Sequence, residues 1–261
     1  MGSGVRRRVR LLVAYDGSAF HGFARNPGVV TVAGALEERL SSICREPITV
    51  TGAGRTDKGV HAWGQVVSFD APVERIQDLE RLRRSLNSIA SETLAVRAVD
   101  WAPDDFDARF SARWRRYRYT VLNTEEPNPF LAPTSWHVHE RLDVAAARAA
   151  CVPLVGLHDF TSFCRRPPLG PGSSGIPPMT RRVLDADWSE LDDGVLQFEI
   201  TASAFCHQMV RSIVGILVDV GLGRRKAIEV AQALAARDRS MISNVAPAHG
   251  LCLWEVGYSA P

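Results

Sequence analysis

Apolar residues in the first hundred positions fall into two alternating periods. Arg8–Tyr15 is a short apolar run closed by the turn pair Asp16-Gly17, which predicts a strand. Thr31–Cys44 then carries Val32, Leu36, Leu40 and Ile43 at helical spacing, with Thr31 placed to cap the N-terminus. Pro47–Thr51 and Gln65–Phe69 read as β-branched strands. Asp78–Ile89 returns to helical spacing through Leu79, Leu82, Leu86 and Ile89, and Leu94–Trp101 alternates again. The order is β-α-β-β-α-β. The second half predicts a strand over Arg116–Leu122 and an alanine-rich helix over Val144–Cys151. Strands follow over Arg182–Trp188 and Val195–Thr201, joined at Asp192-Asp193-Gly194. An apolar helix over Met209–Val220, a helix from Arg224 to Ala236 and a strand over Leu251–Val256 complete the same order with one helix added.

Two such units predict an α+β protein of two ferredoxin-like (RRM-like) halves, residues 5–108 and 109–261, whose boundary falls near Phe106–Arg113. Each half would lay helices on one face of a largely antiparallel sheet and leave the other face open, an arrangement suited to an RNA-binding cleft. Arg165–Thr180 is rich in proline and glycine and reads as a surface loop.

Composition narrows the class. The chain has 261 residues, of which 46% are hydrophobic, enough for one large core or two smaller ones. No apolar run reaches the roughly 18 residues of a membrane span, and Leu11–Ala14 is too brief for a signal-peptide core, so a cytoplasmic protein is expected. Met1–Gly4 is set aside as an unpacked tail. The five cysteines are scattered and form no Cys-x-x-Cys pair, which argues against a disulfide framework and a zinc knuckle. With a net charge of +2, clusters matter more than the total.

Three stretches offer chemistry. Gly52–Ala62, reading Gly-Ala-Gly-Arg-Thr-Asp-Lys-Gly-Val-His-Ala, follows directly on a strand and presents Asp57 at its end. It fits neither the dinucleotide fingerprint nor a Walker loop. From spacing alone, a glycine-rich hairpin with a capped turn and a functional site both remain open. Arg113-Trp114-Arg115-Arg116-Tyr117-Arg118-Tyr119 is the densest basic and aromatic run. A period of two puts Tyr117, Tyr119 and Val121 on one face and Arg116 and Arg118 on the other. Tyr119 suits a core tyrosine with a satisfied hydroxyl better than Tyr117 does. Arg211 interrupts the apolar helix, so it needs a partner, for which Asp57 is the candidate. His137-x-His139 lacks further ligands, and no metal site is expected.

The Asp57 stretch resembles the signature of the tRNA pseudouridine synthase A family, Gly-Arg-Thr-Asp-x-Gly-Val-His-Ala. Further blocks resemble the family's in the family's order, among them Tyr15-Asp16-Gly17, Phe20-His21-Gly22-Phe23, Gly64-Gln65-Val66, Asp105–Ala112, Arg116–Tyr119, Asp159–Phe163, Met209-Val210-Arg211, Ile213-Val214-Gly215 and Ala246-Pro247-Ala248. Phe23, Ala24 and Lys58 depart from the more usual tryptophan, glutamine and alanine, a change that touches RNA contacts more than chemistry. The resemblance implies isomerisation of uridine to pseudouridine in the tRNA anticodon stem-loop, with Asp57 as nucleophile or base. Arg55 would hold the carboxylate, and Tyr117 would stack the extruded base and offer its hydroxyl. Lys58, His61, Arg116, Arg118, Arg165 and Arg166 are the expected substrate contacts, the last two to phosphates. A homodimer that works on tRNA with no organic cofactor or metal is implied as well. A non-catalytic RNA-binding protein on the same scaffold is the alternative, and an aspartate-dependent hydrolase of small molecules leaves the basic aromatic strand unexplained.

Overall fold

A computed structural model describes residues 5–89, 92–166 and 179–260, with Ile89 described in its backbone alone. Pro167–Pro178, the body of the expected surface loop, and Met1–Gly4 lie outside the described residues. The chain forms two compact units. One runs to Arg113 and includes the residues from Cys252 on, and the other is Trp114–Leu251.

The first unit follows the expected order: β1 (Arg6–Tyr15), α1 (Val32–Cys44), β2 (Thr51–Gly52), β3 (His61–Pro72), α2 (Leu79–Ile89) and β4 (Leu94–Trp101). β1 is central, antiparallel to β3 with Leu11 opposite Val67 and to β4 with Leu11 opposite Val99. Alternation along β1 buries Val9, Leu11 and Val13, and Leu36 and Leu40 of α1 and Leu82 and Leu86 of α2 are buried as well. The Thr31 hydroxyl accepts the Gly34 N–H and caps α1 as its position predicts.

β2 is the main departure. Of the strand expected over Pro47–Thr51, only Thr51 and Gly52 pair, because α1 side chains take the preceding backbone donors. The Ile48 N–H goes to Ser41 Oγ at 2.8 Å and the Val50 N–H to the buried Glu37 carboxylate at 3.2 Å. A backbone group satisfied by a side chain has no need of a ladder partner.

In the second unit come β5 (Trp114–Leu122), β6 (Trp136–His137), α3 (Val144–Ala149), β7 (Gly156–Asp159), β8 (Thr180–Glu190), β9 (Val195–Ala202), α4 (Met209–Gly221) and α5 (Ile228–Ala236). β5, β9, β8 and β7 are neighbours in that order and antiparallel, while β6 runs parallel to β5. Every residue of α4 except Arg211 is buried. The final strand, β10 (Leu251–Gly257), was expected to close the second half. It pairs parallel with β3 through Cys252 and Leu253 and counts with the first unit. Both units are mixed α+β with largely antiparallel strands.

Candidate active site

The Asp57 loop connects β2 to β3, and hydrogen bonds tie it down at Ala53, Gly54, Thr56 and Asp57. The Ala53 N–H still reaches the Val66 carbonyl at 2.8 Å, and the chain then leaves the sheet. The Phe23 N–H donates to the Thr56 carbonyl at 3.0 Å. The Val60 N–H donates to the Asp57 carbonyl at 3.1 Å and closes a turn whose third residue, Gly59, has φ +80°. That left-handed conformation explains the glycine, since a side chain there is strained. Beneath the loop, the Tyr15 hydroxyl lies 2.8 Å from Thr56 Oγ1, and Gln65 bonds both the N–H and the C=O of Gly54. Tyr15, Thr56 and Gln65 are buried, whereas Asp57 is half-buried and Arg55 and Lys58 are exposed. A rigid floor thus carries a carboxylate that retains access to solvent.

His61 belongs to the support beside this loop. Its Nδ1 lies 3.1 Å from the Gly17 N–H and 3.2 Å from Asp16 Oδ1. The two contacts exclude each other at any moment, because the nitrogen accepts from Gly17 when bare and donates to Asp16 when protonated. Burial alone would raise the Asp16 carboxyl, but hydrogen bonds from Ser18 and the neighbouring His61 outweigh it and leave the group below its ordinary range.

In the second unit, alternation along β5 separates the tyrosines from the arginines. Tyr117 is buried, with its ring edge-on to Phe205 at 5.0 Å between centroids. Tyr119 is fully buried and donates its hydroxyl to the Pro247 carbonyl at 2.8 Å. Burial lifts that phenol well above its usual range, with the Arg211 cation only partly opposing, so it stays a donor. On the other face, Arg116 and Arg118 both reach the Glu199 carboxylate, at 3.3 and 2.7 Å. These two arginines, expected to contact substrate, form a cross-strand ion pair cluster there, Arg118 standing directly opposite Glu199 in the register.

Arg211 lies in the first turn of α4, where its Nε donates to the Ala246 carbonyl at 2.7 Å while its own carbonyl accepts the Ala246 N–H at 3.0 Å. Asp219 accepts from the Asn244 amide at 3.3 Å. Arg211, Gly215 and Asp219 are four apart, hence on one helix face, and together they seat the segment 244–246. At Gly215 an added Cβ would stand 2.3 Å from the Asn244 carbonyl oxygen, a backbone atom that cannot swing aside. Gly215→Ala is expected to lower stability by about 1–3 kcal/mol, as overpacking does, read as a lower midpoint in thermal or denaturant unfolding.

Arg55 is exposed, while buried polar groups hold the loop from beneath. Arg165 and Arg166 are exposed, as phosphate contacts require, and the Arg165 N–H is bonded to the His207 carbonyl. His137 Nε2 is 2.8 Å from the Thr124 carbonyl. Sequence reasoning gave Gln65 no role of its own and missed Phe205. A glutamine opening an apolar strand carries no period of its own, and Phe205 lies outside any regular element.

Comparison with known proteins bears directly on these observations. The model of a family described as tRNA pseudouridine synthase matches residues 11–111 and 150–259. A tRNA pseudouridine synthase A of Bacillus subtilis (strain 168) is 40% identical over 253 residues, 96% of this chain and 99% of that one. One of Halalkalibacterium halodurans is 41% identical over 247 residues, 94% and 90% of the two chains. A Cbf5-Nop10-Gar1 complex aligns with a TM-score of 0.32 and 12% identity over 80% of this chain and 45% of that one, too slight a likeness to argue from. The chain belongs to the tRNA pseudouridine synthase family, and with it to the isomerases.

Proposed function

We propose that this enzyme isomerises uridines in the anticodon stem-loop of tRNA, with Asp57 as the group that acts on the sugar. The observation that carries the reading is a half-buried carboxylate at the crest of a loop fixed by buried hydrogen bonds. In the reaction the N1–C1′ bond breaks, the base turns, and a C5–C1′ bond forms as the C5 hydrogen leaves as a proton and N1 gains one. Asp57 serves this either by attacking C1′ to give an ester or by removing the C2′ proton to give a glycal. Both routes need the same group at the same edge of the ribose.

In this reading Tyr117 is the aromatic surface for a base taken out of its stack, with Phe205 bracing the ring. Arg55 keeps the Asp57 carboxylate ionised, Arg211 supplies a cation held by its Nε, and Lys58, Arg116, Arg118, Arg165 and Arg166 contact the RNA, the last two at phosphates. His61, anchored beside the loop at Asp16 and Gly17, belongs with the groups that receive the substrate. A homodimer in the cytoplasm, with tRNA as its partner, belongs to the same reading, and so do ferredoxin-like halves. The neighbour order β4, β1, β3 with β2 on β3 supports that description of the first unit. Among the described residues no helix is long and apolar enough to cross a membrane.

Mapping pseudouridine in a tRNA transcript after incubation tests the assignment. New pseudouridine confined to the anticodon stem-loop is expected. Modification elsewhere would overturn the choice of site, and none in any tRNA would overturn the activity.

A further inference from the structure

We propose that Gln65, with Tyr15 behind it, is a positioning residue that sets where the Asp57 carboxylate sits during turnover. The inference rests on the reading of Asp57 as the catalytic carboxylate and adds a group to which that reading assigns no role.

Register gives the first argument. Thr51 stands opposite Ser68 and Gly52 opposite Val67, so two more steps along the same hairpin bring Gly54 opposite Gln65. The bond from the Ala53 N–H to the Val66 carbonyl is the last of the ladder, and at Gly54, whose backbone groups that ladder leaves unpaired, the side chain of Gln65 takes over. Its Oε1 accepts the Gly54 N–H at 3.3 Å and its Nε2 donates to the Gly54 carbonyl at 2.8 Å, the two bonds a strand partner would make. The loop is therefore held as though still in the sheet while its backbone is released to turn toward Asp57, three residues on.

Proton accounting gives the second. The remaining Nε2 hydrogen of Gln65 points to the Tyr15 hydroxyl at 3.3 Å. An amide nitrogen accepts nothing, so the phenol's own proton goes to Thr56 Oγ1 at 2.8 Å. Burial raises the Tyr15 phenol far above its ordinary range and keeps that proton in place. One fully buried side chain thus directs both Gly54 and, through Tyr15, Thr56, the residue next to Asp57. Leucine at position 65 would leave three polar groups beneath the loop without these partners, and the loop would drift.

The experiment compares Gln65→Leu, Gln65→Glu, Asp57→Ala and wild type, each as the full chain, for kcat on tRNA, tRNA affinity and thermal midpoint. Gln65→Leu is expected to lose about 10²-fold in kcat, the cost of a shift of about 1 Å in a reacting group, with tRNA affinity within about twofold. Gln65→Glu supplies a readout that a merely structural role would not move. A buried carboxyl titrates high, and only its protonated form can donate to the Gly54 carbonyl while accepting the N–H. Its kcat relative to wild type is therefore expected to recover as pH falls from about 8 to about 6. A Gln65→Leu enzyme within about twofold of wild-type kcat would overturn the proposal. So would a Gln65→Glu profile that runs parallel to wild type, and that result decides the matter alone should the leucine variant fail to fold. Activity surviving in Asp57→Ala would sink the reading of Asp57 itself, a separate failure.

Discussion

Tyr117→Phe is expected to bind tRNA with nearly wild-type affinity and to lose about 10²-fold or more in kcat, the usual cost of removing a general acid. The phenylalanine ring keeps the edge-on contact with Phe205 and the flat surface on which a base can stack, so binding is spared. Only the hydroxyl goes. Tyr119→Phe is the contrast, because its hydroxyl is already committed to the Pro247 carbonyl. There the loss falls on stability, by about 1–2 kcal/mol, and leaves kcat largely intact. Equal losses of affinity and turnover in Tyr117→Phe would make that residue a binding platform alone. Steady-state kinetics beside a tRNA titration separate the outcomes.

The separation of Tyr117 and Tyr119 from Arg116 and Arg118 was legible in the sequence because a strand's period of two is a local property. The same holds for β1, α1 and α2, where apolar spacing sorts buried from exposed positions. What the sequence did not reveal depends on partners far along the chain. Residues 47–50 look like a strand, yet their donors go to Ser41 and Glu37 of a preceding helix. β6 and β7, of 2 and 4 residues, are too short to show a period. β10 has the pattern of any apolar strand, and nothing in that pattern says it runs parallel to β3. Within the site, the glycine-flanked aspartate stood out by its neighbours. The residues that hold its loop did not, since Tyr15 and Gln65 are 42 and 8 positions away from Asp57 and act through a network that only folding assembles. Arg55, two positions before Asp57 and of the right charge, is the support that the sequence does show, and it is exposed.

Asp57→Asn is expected to have the larger effect on turnover. Asparagine keeps the size of the side chain, and the turn at Asp57–Val60 is closed through the backbone carbonyl, so the loop should retain its path. An amide neither forms the ester nor takes the C2′ proton, and kcat should fall by about 10³-fold or more with tRNA binding preserved. The most direct measurement uses tRNA tritiated at uridine C5, because the C5 hydrogen must leave when the new glycosidic bond forms. Wild-type enzyme is predicted to release tritium to water and Asp57→Asn to release none above background at equal tRNA occupancy. Release by the variant at a rate near wild type would contradict the account.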